Sequence, residues 1–218
     1  MKLLLSNWLK RIFSRHSSSR ETTESQETEH TMKFLIVGLG NIGAEYQDTR
    51  HNIGFTILDA LAAASNVVFS SQRYGSVAEM RLKNQRLVLL KPSTYMNLSG
   101  EAVRYWMQTE KIPLENVLVV VDDIALEVGT LRMKKQGSNG GHNGLADIEA
   151  ALGSQNYCRL RIGVGNHFGR GHQIDYVLGK FTEEEMATLD PRIKDAAEMV
   201  RCFCTQGADR AMNMYNGK

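Results

Sequence analysis

The chain has 218 residues, 42% of them hydrophobic and 23% charged, the balance of a globular protein with one core domain. Its formal net charge of +2 excludes a whole-surface attraction to nucleic acid, so any such contact must come from a local patch. The absence of a run of roughly 18 apolar residues excludes a membrane-spanning helix. In chain order, residues 14–31 contain no aliphatic or aromatic side chain and cannot bury enough surface to offset their ordering entropy. They read as a disordered linker. Before them, Leu5, Trp8, Leu9 and Ile12 fall at helical spacing beside Lys10, Arg11 and Arg15, as in a membrane-surface helix or a transit segment. The alternative is that translation naturally begins at Met32, which makes residues 1–31 a mis-annotated extension.

The next run, strand-like over 33–37 and apolar from Phe34 to Val37, feeds Gly38-Leu39-Gly40-Asn41-Ile42-Gly43, a G-x-G-x-x-G pattern. In a dinucleotide-binding unit a helix starts at the third glycine and holds a pyrophosphate on its positive end. Here AEYQDTRHNIG follows, mixing charges with turn residues, and apolar helical spacing begins only near Ile53. The glycines are therefore expected to make an exposed strand-to-loop turn that displays Asn41, with no cofactor. Strand-like runs continue at 76–82, 87–90, 117–121 and 160–164, and Asn84-Gln85 between the first two of these predicts a hairpin. Helical spacing covers 53–64, 99–109, 143–152 and 183–204. The expected architecture of residues 32–218 is α/β, one domain with a mixed β-sheet and helices on both faces. Cys158, Cys202 and Cys204 are odd in number and form no C-x-x-C pair, which predicts buried free thiols in a reducing, cytoplasmic setting.

Six short segments carry a resemblance. They are Val37-Gly38-Leu39-Gly40-Asn41, Thr49-Arg50-His51-Asn52-Ile53-Gly54, the run KPSTYMNLSG from Lys91 to Gly100, Val120-Val121-Asp122-Asp123, Gly140-Gly141-His142-Asn143-Gly144, and Arg159-Leu160-Arg161-Ile162-Gly163. In this order they closely resemble the bacterial-type peptidyl-tRNA hydrolase family over essentially all of 32–218. Two departures stand out: Ile42 replaces the proline usual after the first asparagine, and Ala125 replaces an aspartate common in relatives.

The resemblance implies a carboxylic ester hydrolase that splits the bond between a peptide and the 3′ ribose of tRNA and so returns tRNA to translation. Such chemistry needs an activated water, a stabilised oxyanion and a positioned acyl group. No G-x-S-x-G elbow supplies a serine nucleophile and no metal-ligand spacing is evident, so direct attack by water is the simplest route. The resemblance makes His51 the general base. An ordinary imidazole titrates near 6.5, although residue type alone equally suits a hydrogen-bonding turn residue. Asp122 follows an apolar run and is expected at a strand end, where a carboxylate orients an imidazole. By resemblance Asn97 and Asn143 bind substrate, Asn41 distinguishes blocked from free amino ends, and Tyr46 and Tyr95 contact substrate. Turn chemistry for the asparagines and core or wall roles for the tyrosines are the bland readings. His142 is left structural, and a metal at His167 and His172 is not expected.

Arg132 and Lys134 alternate along one short run, as do Arg159 and Arg161, so each pair shares a face. Residues 136–141 lead into a helical segment whose positive end favours phosphate. By resemblance Lys134 and Arg161 clamp the tRNA 5′ phosphate; otherwise they are charges on a solvated face. The implied partner is peptidyl-tRNA, engaged by a monomer with no membrane and no obligate protein partner. A non-catalytic RNA-binding module and a nucleotide-dependent oxidoreductase are the competing classes.

Overall fold

The structure is a computed structural model and describes residues 31–217. The readings for residues 1–30 lie outside the described residues. Seven strands make one mixed sheet: β1 (Met32–Gly38), β2 (Ser70–Gln72), β3 (Gly75–Leu82), β4 (Gln85–Pro92), β5 (Val117–Asp123), β6 (Leu131–Lys134) and β7 (Cys158–Gly163). Their spatial order is β2-β3-β4-β1-β5-β7-β6. β1, β5 and β7 run parallel, β3 is antiparallel to β2 and β4 as the hairpin signal requires, and β6 is antiparallel to β7. The helices are α1 (Ile53–Ala63), α2 (Ser99–Glu110), α3 (Asn143–Leu152), α4 (Gln173–Val177), α5 (Glu183–Gln206) and α6 (Ala208–Tyr215).

The continuous apolar runs of β1 and β5 are what a strand covered on both faces needs. Along β1, Phe34 and Ile36 join a core with residues of α1, α5 and α6, while Leu35 and Val37 join a second core with α2 and α3. β5 divides likewise, Leu118 and Val120 against Val117, Val119 and Val121. This two-sided burial is the expected α/β architecture. All three cysteines are buried, and burial pushes the Cys158 thiol up to about 11, so it stays protonated and unreactive.

The topology also locates a crevice. After β1 the chain builds β2–β4 on one side, then passes over α2 to place β5 on the other. The carboxyl ends of β1 and β5 therefore lie side by side, with α1 and α2 on opposite faces, which is where open α/β sheets bind ligands. The glycines at this edge serve close packing. A Cβ on Gly54 would lie 2.5 Å from the Leu39 backbone N and O, and one on Gly38 would lie 2.4 Å from the Gly54 carbonyl oxygen. Between Gly43 and α1 come two single 3-10 turns, Ala44–Tyr46 and Arg50–Asn52. The helix therefore does not open at the third glycine, as it does in a dinucleotide-binding unit, but only at Ile53.

Candidate active site

Asp122 is the next-to-last residue of β5 and is 5% exposed. Its carboxylate is reached from both layers. From the α1 layer, His51 Nδ1 lies 3.0 Å from both Oδ1 and Oδ2; from the α3 layer, His142 Nε2 lies 3.0 Å from Oδ1. The two imidazole rings stand 4.9 Å apart, centre to centre.

Hydrogen bonding fixes the tautomer of each ring. His142 caps α3: its Nδ1 accepts from the backbone N–H groups of Gly144 at 3.1 Å and Leu145 at 3.3 Å. An acceptor Nδ1 puts the proton on Nε2, which donates it to Asp122. His142 is thereby a neutral imidazole with both nitrogens engaged, and it has no lone pair left for a reacting water. His51 is the converse case. Its Nδ1–H donates to Asp122, and its Nε2 has no hydrogen-bond partner among the described residues and belongs to a ring that lines an open cleft. A lone pair so placed can take a proton.

The same tautomers bear on a metal. His51, Asp122 and His142 bring one donor atom each within 4.8 Å of one another, a spacing that a cation can use. Ligation through His142 Nε2 would move its proton to Nδ1, against two amide N–H groups already pointing there. The cluster suits N–H donors sharing a carboxylate, not a metal.

Burial alone would lower the His51 pKa, but the Asp122 charge and hydrogen bond outweigh it and hold the imidazole above its ordinary value. Burial alone would raise Asp122. The two facing histidines overcome that as well and keep the carboxyl well below the usual carboxylate range.

Asn41 stands just past β1 and is 9% exposed. Its backbone N–H donates to Asn52 Oδ1 at 2.8 Å, and Asn52 Nδ2 returns a bond to the Asn41 carbonyl at 2.9 Å. Asn41 Oδ1 accepts from the Met96 N–H at 2.9 Å, which leaves Nδ2 as the end free for the cleft. Asn41 is therefore a donor here, and it also pins the turn that carries Asn97. Asn97 and Asn143 are exposed, line the same cleft, and make no side-chain hydrogen bond among the described residues. The cleft has a volume of about 440 Å³ and also takes in Tyr95 and Arg161.

Two expected residues lie apart from it. Tyr46 is half-buried in the Ala44–Tyr46 turn and is absent from the cleft wall; its carbonyl accepts from the Thr49 hydroxyl at 2.8 Å. Lys134, on edge strand β6, also lies off the cleft wall, although it registers with Arg159, as Arg132 does with Arg161. The four cations share a face but not a fate. Arg159 is 1% exposed and is spent internally, on the Ser138 carbonyl at 3.0 Å, the Gln155 carbonyl at 3.2 Å and Glu149 at 3.4 Å. Arg161 pairs with Asp123, whereas Lys134 is exposed and has no ion-pair partner among the described residues. The phosphate-binding promise of the α3 end is also reduced, because His142 occupies two of its amides and Asn139 Oδ1 a third, from Gly141.

Three residues that pattern reading left without a role organise the site. Asn52 clamps Asn41, His142 holds Asp122, and Arg50 anchors the His51 turn. Arg50 reaches Glu185 at 2.7 Å and the Lys180 carbonyl at 2.8 Å, and stacks 4.2 Å over the Tyr176 ring. Each stands inside a segment quoted above, but only the fold reveals its partner.

His142→Asn separates capping from the Asp122 contact, since asparagine caps helices well but cannot span both positions. It is expected to leave the melting temperature nearly unchanged. kcat should fall roughly 10- to 100-fold for the loss of one charge-assisted hydrogen bond, with the rising limb of the pH profile retained. Disappearance of that limb would make His142 the base.

A single α/β sheet places a histidine–carboxylate pair at the carboxyl ends of its parallel strands, an arrangement able to take a proton from water. The sequence model of the family described as Peptidyl-tRNA hydrolase matches residues 35–218, and the chain belongs to that family. It is 63% identical to the peptidyl-tRNA hydrolase of Phocaeicola vulgatus over 187 residues, 86% of this chain and all of that one. It is 58% identical to that of Porphyromonas gingivalis over 185 residues, 85% of this chain and all of that one. The crystal structure of peptidyl-tRNA hydrolase from Acinetobacter baumannii superposes with a TM-score of 0.81 at 34% identity, covering 86% of this chain and 97% of that one.

Proposed function

We propose that the enzyme hydrolyses the ester between a peptide, or an N-blocked aminoacyl group, and the 3′ ribose of tRNA, with His51 as the general base. Family membership supports peptidyl-tRNA as the substrate. The observation that carries the mechanism is the open Nε2 of His51, backed on the other nitrogen by a buried carboxylate. Water held by Nε2 gives up a proton as it attacks the ester carbonyl. Asn41 Nδ2 supplies an N–H to the developing oxyanion, and Asn97 and Asn143 grip the peptide backbone. The imidazolium, stabilised by Asp122, then returns the proton to the departing ribose oxygen. Residues 32–218 form the catalytic domain of a cytoplasmic monomer that needs no cofactor and recycles tRNA for translation. The direct test is release of a labelled N-acetyl-aminoacyl group from tRNA. Equal release of an unblocked aminoacyl group would remove the proposed discrimination by Asn41.

Lys134 and Arg161 serve the tRNA phosphate. Because Lys134 has no ion-pair partner among the described residues and Arg161 already faces Asp123, Lys134→Ala should change salt dependence more than Arg161→Ala. The expected result is a higher KM for tRNA substrates and a log–log salt slope reduced by about one for Lys134→Ala. Activity on a short N-acetyl-aminoacyl ester should be unaffected. Equal losses on both substrates would assign these cations to the fold.

A further inference from the structure

We propose that the cleft contains an apolar subsite, formed by Ile124 and Ala125 on one side and by Ile174, Val177 and Leu178 on the other, that takes the side chain of the residue esterified to tRNA. The proposal rests on the ester-hydrolase reading above and names the acyl groups it prefers: apolar over charged.

The first observation is an apolar surface left open where it is costly. Ile174 is 69% exposed and lines the cleft, beside Val177 at 8% exposure. A branched aliphatic group facing water at the mouth of a site gains from an apolar partner, roughly 25 cal/mol for each Å² it covers. The same cleft is lined by Ile124, which packs onto the core beneath, and by the exposed methyl of Ala125. At 125 the family resemblance leads one to expect an aspartate, so this chain lacks a carboxylate at that wall.

The two walls are held together. Tyr176 O–H donates to the Val164 carbonyl at 2.7 Å, and the Val164 N–H donates to the Asp123 carbonyl at 3.1 Å. This ties α4 to the segment that carries Ile124 and Ala125. Arg50 secures the same, carboxyl-terminal end of α4 through the Tyr176 carbonyl at 3.3 Å and the Lys180 carbonyl at 2.8 Å. A wall tied in this way at its carboxyl-terminal end holds Val177 and Leu178 in place before substrate arrives, which lowers the ordering cost of binding.

Charge points the same way. Asp122 is taken up by two histidines, Asp123 by Arg161, and Arg159 by Glu149. Among the described cleft-lining residues every carboxylate and guanidinium already has an ion-pair partner, so a charged acyl side chain meets no unpaired counter-charge, and a buried charge without a partner is strongly disfavoured. The cleft's 440 Å³ suits a small ligand and not the tRNA body. With the ester carbonyl at His51 and Asn41, the side chain on the adjoining α-carbon is the group that reaches these walls.

The test uses the full chain and one tRNA body charged with N-acetyl-leucine, N-acetyl-lysine or N-acetyl-aspartate. kcat/KM should be about 10- to 100-fold higher for the leucine ester, the range that side-chain contacts in a pocket supply. Ala125→Asp should shift the lysine-to-aspartate ratio toward lysine and Ala125→Lys toward aspartate, each about tenfold. Ile174→Ser should reduce the leucine advantage severalfold. All three substitutions fall at exposed positions, and unchanged melting temperatures will verify folding. Equal kcat/KM for the three esters, or movement of the ratio in one direction with both Ala125 variants, would overturn the subsite. Failure to cleave any of the three would instead overturn the hydrolase reading beneath it.

Discussion

His51→Ala is expected to lower kcat by roughly 10²–10⁴, the usual contribution of a positioned general base. The size follows from the geometry, since His51 Nε2 is the one imidazole nitrogen of the Asp122 cluster with no hydrogen-bond partner among the described residues. Substrate binding should survive. Asn41 is held by Asn52 and Met96, and Asn97 and Asn143 sit on other turns, so none depends on the imidazole. KM should therefore change little while kcat falls. In the parent, kcat should rise with pH through one ionisation, because only the neutral imidazole accepts a proton. That ionisation should lie above the ordinary value of about 6.5, as the Asp122 charge and hydrogen bond together outweigh burial at His51. In His51→Ala the limb should vanish. Near-parent turnover with the same limb would place the base elsewhere.

Much of this arrangement is legible in the sequence because it rests on local pattern. β1 and β5 announce themselves as unbroken apolar runs, and α3 starts and ends at the residues its spacing predicts. What escaped has a physical reason in each case. Ser70, Ser71 and Gln72 of β2 are polar and exposed, so alternation is absent although the strand pairs with β3. α4 has five residues, too few for helical periodicity to register. Arg159 shares its strand face with Arg161, yet it turns inward to hold the Ser138 carbonyl, a fate that alternation cannot distinguish from exposure. His142 is the most instructive. It stands next to a resemblance-assigned asparagine and reads as structural. It does cap α3, but the same ring also holds Asp122 from the layer opposite His51, and that contact exists only once both helices are packed. Tyr46 is the converse case, a residue matched by motif that the fold leaves off the cleft wall.

Asp122→Asn tests whether the carboxylate works through its charge. The substitution keeps size and leaves an oxygen for imidazole N–H groups, but Oδ1 already receives both His51 and His142 at 3.0 Å. The second position becomes an N–H donor facing His51 Nδ1, where Oδ2 now accepts at 3.0 Å. One charge-assisted hydrogen bond is lost, a cost of about 1.5–3 kcal/mol. kcat should accordingly fall roughly 10- to 100-fold at one decade per 1.36 kcal/mol. The sign of the pH effect is the sharper readout. In the parent, burial lowers the His51 pKa and the carboxylate raises it to a net increase. With asparagine the burial remains and the attraction is gone, so the rising limb should move to lower pH even as its plateau drops. A purely structural role for Asp122 would lower kcat or stability and leave the limb where it was. His51 and Asp122 also act as one unit, so the double variant should be no slower than His51→Ala alone. Multiplying losses would mean that Asp122 contributes to turnover by a route that bypasses the imidazole.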